Sequence, residues 1–111
     1  NTDYVAPKNG PAYARVNAGY VDAILNAGGL PILLPPPRRE NMADFEVLLD
    51  QLAGIVLTGG PDMDPRRNGQ ALTAVVNPMP ARREDADRAL LARIFERKTP
   101  VLGIGVGMQQ L

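Results

Sequence analysis

Three short apolar runs, each preceded by a helix-like segment, constrain the fold of this chain more than any other feature. The runs occupy residues 30–34, 55–57 and 101–104. Continuous apolar runs are typical of strands that are covered on both faces of a parallel sheet. Parallel neighbours also need crossover connections long enough to hold a helix. The alternation therefore predicts an α/β domain built on a parallel sheet.

Apolar residues recur at three- and four-residue spacing before each run, which predicts three helices. The first follows residues 1–11, interpreted as a loop, and ends at the glycine pair 28–29. Asn41 is expected to cap the second helix, which Gly54 ends. The third spans 84–97, with acidic residues near its start and basic residues near its end, as the helix dipole favours.

The composition excludes several functions. Twelve basic and twelve acidic residues leave no basic field, so nucleic acid is not an expected partner. No run approaches the roughly 18 to 20 apolar residues of a membrane span, and no signal pattern opens the chain. We therefore expect a cytoplasmic protein without a membrane partner. Cysteine and histidine are both absent, which removes thiol nucleophiles, thiolate metal sites and the usual general base.

The segment 101–109, VLGIGVGMQ, predicts a strand, a tight glycine-bearing turn and the start of a helix. This is the arrangement of a nucleophile turn, where one side chain stands free and backbone N–H groups face a developing oxyanion. A dinucleotide loop is the alternative, but G-x-G-x-G lacks the third glycine at the Rossmann offset. The 59–83 segment before the third helix is long for a connection, and such loops are often functional.

The motifs LTGGPDMDP, NAGGLPILLPP and PVLGIGVGMQQL occur in an order that resembles the class I glutamine amidotransferase superfamily. More narrowly, the chain is similar to the γ-glutamyl-γ-aminobutyrate hydrolase branch, peptidase family C26. The resemblance implies a partial flavodoxin-like, three-layer parallel sheet, truncated at both ends. Residues 1–111 would then form the N-terminal part of a single domain. It also implies a small γ-glutamyl amide as substrate, with no cofactor.

Two departures from the family pattern bear on activity. Gly105 stands where the family has the nucleophilic cysteine, and Val106 stands where it has arginine. Glycine has no side chain with which to form a thioester, so the covalent mechanism cannot run. The family also places a histidine and a glutamate farther along the chain than Leu111. Arg83, Glu84 and Asp87 match its R-D-x-x-E motif only conservatively.

By resemblance, the backbone N–H groups of Gly60 and Val106 form the oxyanion hole, and Gly59 and Gln109 contact substrate. Gly59 and Gly60 could instead serve only to end a strand, and Gln109 could serve packing or capping. Backbone donors do not depend on side-chain identity, so a γ-glutamyl group could still be bound.

Two further sets of charged residues have plain structural explanations. Asp62 and Asp64 could hold a hard cation, but we favour turn capping by one and solvation of the other, so no metal is predicted. Paired arginines suggest anion contacts, although solvated loop charge is favoured. These arginines are Arg38, Arg39, Arg66, Arg67, Arg82 and Arg83.

Three hypotheses follow. The first is a degenerate γ-glutamyl hydrolase, a pseudoenzyme that is inactive without its nucleophile. The second is a non-catalytic module that binds a γ-glutamyl or related metabolite. The third is a fragment without independent function, whose uncovered apolar surface would cause self-association.

Overall fold

The computed structural model describes all of residues 1–111. Its elements are β1 (Asp3–Val5), β2 (Tyr13–Arg15), α1 (Ala18–Asn26), α2 (Met42–Leu49), β3 (Ile55–Leu57), α3 (Ala81–Arg97), β4 (Val101–Gly103) and α4 (Val106–Gln109). Short 3-10 helices span Arg39–Asn41 and Pro65–Asn68. None of the helices combines the length and the apolar character that crossing a bilayer requires.

The centre of the molecule is a parallel pair of strands. β3 pairs with β4 in a register that sets Ile55 opposite Val101 and Leu57 opposite Gly103. The chain crosses between the two strands through α3, as parallel pairing requires. The mixed α/β architecture with a parallel sheet is therefore confirmed.

One face of this strand pair carries the core. Leu57 on β3 and Leu90 on α3 are 0% and 1% exposed. Each fully buried leucine of this kind contributes about 1.5–3 kcal/mol of hydrophobic stabilisation. The same cluster also contains Leu34, Leu49, Ile55 and Ile94. The core thus joins α2 and α3 to the sheet and fixes the carboxyl end of β3, where the glycine pair 59–60 follows.

The predicted loop over residues 1–11 contains a strand, β1, and a second strand, β2, follows it where the first helix was expected. β1 and β2 form an antiparallel hairpin in which Tyr4 lies opposite Ala14. The first helix consequently begins only at Ala18, where the Asn17 side chain caps it by accepting the Gly19 N–H at 2.8 Å. Its end is as expected, because Gly28 takes a φ of 85° just after the last turn.

The predicted strand over residues 30–34 is also wrong. This segment has no strand assignment, and Leu30, Ile32 and Leu33 are 85%, 52% and 54% exposed. An apolar run becomes a strand only where a neighbour supplies hydrogen bonds along its length. The Leu34 carbonyl accepts one such bond, from the Thr2 N–H at 3.0 Å.

The second helix lacks its expected cap. The Asn41 side chain makes no capping hydrogen bond, because residues 39–41 already form a 3-10 turn that leads directly into α2. The third helix is confirmed but begins three residues earlier than predicted, at Ala81. That early start places Arg83 and Glu84 inside the first turn, where both side chains are buried.

The second face of the strand pair is only loosely covered. α1 lies on this side, and a cavity of about 640 Å³ separates it from the sheet. Leu102, which shares this face with Val56, is 58% exposed. A large apolar surface therefore stays accessible on this side of the molecule.

Candidate active site

The predicted nucleophile turn is present between β4 and α4. Gly105 lies between the two elements with φ 58° and ψ −124°, a conformation that side-chain-bearing residues adopt only at a cost of about 1–3 kcal/mol. Strained strand-to-helix turns of this type present one side chain at the edge of a sheet. In this chain the position is exposed and carries a hydrogen atom in place of a side chain.

Of the three glycines in this turn, only Gly105 has space for a side chain. A Cβ atom at Gly103 would lie 2.7 Å from the Met108 Cα. A Cβ atom at Gly107 would lie 2.6 Å from the Leu57 carbonyl carbon. At Gly105 the nearest atom would be the Gly59 Cα at 3.5 Å, an ordinary van der Waals distance. Backbone packing therefore explains Gly103 and Gly107 but does not explain Gly105.

The glycine pair after β3 lies beside this turn. The Gly59 N–H donates to the Tyr20 hydroxyl at 3.2 Å, and its carbonyl accepts from Arg83 at 3.3 Å. Neither the Gly60 N–H nor the Val106 N–H has an acceptor within the chain. The structure thus leaves without a partner the two backbone donors predicted for the oxyanion hole. The substrate contact assigned to Gly59 stays a prediction.

Arg83 holds the glycine pair from behind. Its guanidinium donates to the Thr58 carbonyl at 3.1 Å and to the Gly59 carbonyl. It also pairs with Asp87 at 3.1 Å and Asp3 at 3.0 Å, and it is 0% exposed. Solvated loop charge is therefore the wrong interpretation for Arg83. A Cβ atom at Gly60 would lie 2.6 Å from the Nη1 of Arg83, which explains why position 60 needs glycine.

Asp87 extends the network to both ends of the chain. It accepts from the Asn1 Nδ2 at 2.6 Å and from the Gln110 Nε2 at 3.0 Å. The neighbouring Gln109, predicted to contact substrate, is exposed and makes no side-chain hydrogen bond, so its role stays a prediction.

The long loop after β3 is anchored by carboxylates. Asp64 caps the 3-10 helix at Pro65, and the Asp62 carboxylate accepts from the Asn77 N–H at 3.0 Å. The prediction that one of the two carboxylates caps a turn is confirmed, with Asp64 as the cap, while the exposed Asp62 also binds a backbone N–H. The hydrogen bonds from the Arg66 side chain hold the pKa of the Asp64 carboxyl below its usual range. Glu84 joins this loop to α3 by accepting from the Asp64 N–H at 3.2 Å.

A second, smaller pocket opens next to the glycine pair. It has a volume of about 340 Å³, and its lining is largely polar. The residues that line it are Asp3, Arg15, Val16, Asn17, Tyr20, Thr58 and Gly59. Apart from Gly59, none was singled out from the sequence as a site residue. The hairpin places Asp3 and Arg15 here. Its sequence signal was weak: Tyr4 and Val5 on one side and Tyr13 on the other flank a turn that contains proline and glycine.

Comparison with known proteins identifies the family to which the chain belongs. The family model described as Peptidase C26 matches residues 2–111. A Mycobacterium tuberculosis protein, provisionally named a glutamine amidotransferase, is 42% identical over 96 residues, which are 85% of this chain and 30% of that protein. The γ-glutamyl-γ-aminobutyrate hydrolase of Escherichia coli K12 is 34% identical over 106 residues, 92% of this chain and 39% of the enzyme.

A glutamine amidotransferase-like protein of Lactococcus lactis is 30% identical over 103 residues, 93% of this chain and 42% of its own length. The chain therefore spans less than half the length of each of these three relatives.

Proposed function

Because the chain belongs to the peptidase C26 family, we propose that it binds a small γ-glutamyl amide at the Gly105 turn and does not hydrolyse it. The observation that carries this proposal is a side-chain-free nucleophile position at Gly105 next to the unpartnered Val106 N–H, together with the unpartnered Gly60 N–H in the loop after β3. Relatives named γ-glutamyl-γ-aminobutyrate hydrolases support the ligand class.

The binding half of the proposal rests on backbone groups. In acyl-transfer sites, fixed N–H donors aimed at the carbonyl oxygen stabilise the charge that develops there. The N–H groups of Gly60 and Val106 are candidates for this role, since both lack an acceptor. Arg83 would keep the glycine pair in place by holding the carbonyls of Thr58 and Gly59.

The second half of the proposal, that the chain does not hydrolyse the amide, rests on the catalytic groups that it lacks. Acyl transfer by this family's route needs a nucleophile that attacks the amide carbon and a base that activates it. The 111 residues contain no cysteine and no histidine. Thr58 directly precedes the glycine pair in the chain, but it is 4% exposed and its Oγ1 contacts Asn1. We therefore assign the chain a binding role.

The test pairs a hydrolysis assay with a binding assay on the same protein. γ-Glutamyl-γ-aminobutyrate and L-glutamine are incubated with the chain, and release of glutamate is followed by amino-acid analysis. Binding is measured separately by saturation-transfer NMR. We expect binding without release of glutamate. Release above the protein-free rate would contradict the inactive assignment, and absence of any binding would contradict the proposed function as a whole.

A further inference from the structure

The small pocket beside Gly59 carries charges that the binding of an amide group alone does not need. The pocket is adjacent to the candidate site, because Gly59 lines it and its Cα also lies 3.5 Å from the Cβ position of Gly105. Its charged residues, Asp3 and Arg15, come from opposite strands of the β1–β2 hairpin and lie directly across from each other.

Arg15 has guanidinium donors to spare. Its Nε lies 3.5 Å from the Asp3 Oδ2, and this is the one ion pair that Arg15 makes. None of its guanidinium nitrogens forms a hydrogen bond with the chain, and its side chain is 62% exposed. A guanidinium presents paired N–H donors whose spacing matches the two oxygens of a carboxylate. Arg15 is therefore equipped to bind an anionic group in the pocket.

Asp3 has one oxygen committed and one available. Its Oδ1 accepts from the Arg83 guanidinium at 3.0 Å and from the Tyr4 N–H at 2.9 Å. Its Oδ2 accepts no hydrogen bond and faces Arg15 across 3.5 Å. The Tyr20 hydroxyl accepts from Gly59, so its own proton is free for an acceptor in the pocket. The pocket therefore offers an anionic acceptor next to cationic and hydroxyl donors.

We propose that this pocket recognises the α-amino-acid end of the ligand, where a carboxylate and an ammonium share one carbon. Arg15 binds the α-carboxylate, and the Asp3 Oδ2 accepts from the α-ammonium. The glutamyl chain then carries its γ-carbonyl to the N–H groups of Gly60 and Val106. This assignment rests on the proposed function, and it predicts that both α-groups of the ligand contribute to affinity.

The experiment compares ligands and variants in one titration series. L-Glutamine has both α-groups, glutaramic acid lacks the ammonium, and 4-aminobutanamide lacks the carboxylate. Each is titrated into the unaltered chain and into Arg15→Gln while the affinity and the amide signals of Gly60 and Val106 are followed by NMR. Arg38→Gln is the matched control, because Arg38 is 66% exposed and its Nε lies 3.6 Å from a single carboxylate, Glu40.

We expect Arg15→Gln to weaken L-glutamine binding about tenfold or more, the effect of losing a hydrogen bond between charged groups. Its affinity for 4-aminobutanamide should not fall, because this ligand has no carboxylate for Arg15 to bind, and Arg38→Gln should bind every ligand as the unaltered chain does. Glutaramic acid should bind more weakly than L-glutamine to the unaltered chain, which tests Asp3 without disturbing its contact with Arg83.

Two results would overturn the inference, and they are distinguishable. If L-glutamine shifts the Gly60 and Val106 amides equally well in Arg15→Gln, the pocket assignment is wrong while the proposed function stands. If none of the three ligands binds the unaltered chain, the proposed function fails and the pocket assignment fails with it.

Discussion

Replacement of Arg83 by methionine should be among the most damaging single changes in this chain. Arg83 is 0% exposed and pairs with Asp87, which is 3% exposed, and with Asp3, which is 14% exposed. Removing one partner of a buried ion pair costs about 3–5 kcal/mol, because the other charge is left buried. Asp87 keeps its bonds from Asn1 and Gln110, so we expect the lower part of that range.

Urea unfolding followed by circular dichroism measures this loss. With a urea dependence of about 1–3 kcal/mol per molar for a small domain, a 3 kcal/mol loss lowers the midpoint by at least about 1 M. Arg93→Met is the control on the same helix, because Arg93 is 35% exposed and pairs with the more accessible Glu46 and Glu96. Exposed pairs contribute about 0–1 kcal/mol. Equal effects of the two substitutions would refute the role assigned to Arg83.

Four further predictions concern the turn, the loop and the open sheet face. Gly105→Cys should keep the fold at a backbone cost of about 1–3 kcal/mol and present a thiol that a disulfide reagent titrates in the folded state; a protected thiol would contradict the exposed position. Gly107→Ala should destabilise the chain by about 1–3 kcal/mol or more, because the added methyl group overlaps the Leu57 backbone; an unchanged thermal midpoint would contradict this packing. Arg66→Gln should raise the pKa of the Asp64 carboxyl toward its usual value in an NMR titration. Because that pKa is lower in the folded state, ionised Asp64 contributes to the stability of the fold. This contribution is fully present above the unfolded-state pKa of about 3.9 and is lost as the pH falls through the folded-state pKa. We also propose that the open apolar face causes self-association. The unaltered chain should then sediment with a mass above that of the monomer at high concentration, and Leu102→Glu should lower that mass.

The elements that sequence reasoning predicted well share one property, which is that local signals agree with the tertiary contacts. The apolar stripe of α3 meets the core cluster through Leu90 and Ile94, so its periodicity alone predicted it. The run Ile55–Leu57 is paired with β4, and α2 and α3 cover one of its faces through the core cluster, so the strand was predicted although its other face stays open.

The failures occur where pairing or burial decides the outcome. The run 30–34 has strand composition but no strand neighbour, so it stays an extended segment with exposed leucines. The β1–β2 hairpin is three residues long on each side, and its signal is too short to outweigh the turn formers between the strands. Arg83 belongs to a charged sequence that indicates solvation, and only its position against Thr58 and Gly59 shows why it is buried.

For the candidate site, too, sequence reasoning found the continuous motifs and missed the residues that only the fold brings together. The resemblance identified the turn at Gly105 and the glycine pair, because both are continuous motifs. The pocket beside them is assembled from residues distant in sequence, with Asp3 and Arg15 on the hairpin and Thr58 at the end of β3. No local spacing joins such residues, so only the fold places them together.

The central claim is that backbone donors at Gly60 and Val106 bind a γ-carboxamide that the chain cannot cleave. A two-dimensional ¹H–¹⁵N NMR titration with L-glutamine tests it most directly, because it reports each N–H group of the protein while a one-dimensional ¹H spectrum of the same sample reports the integrity of the ligand. We predict saturable shifts of the Gly60 and Val106 amide signals while L-glutamine stays intact. Unmoved signals at both residues, or conversion of the ligand to glutamate, would contradict the account.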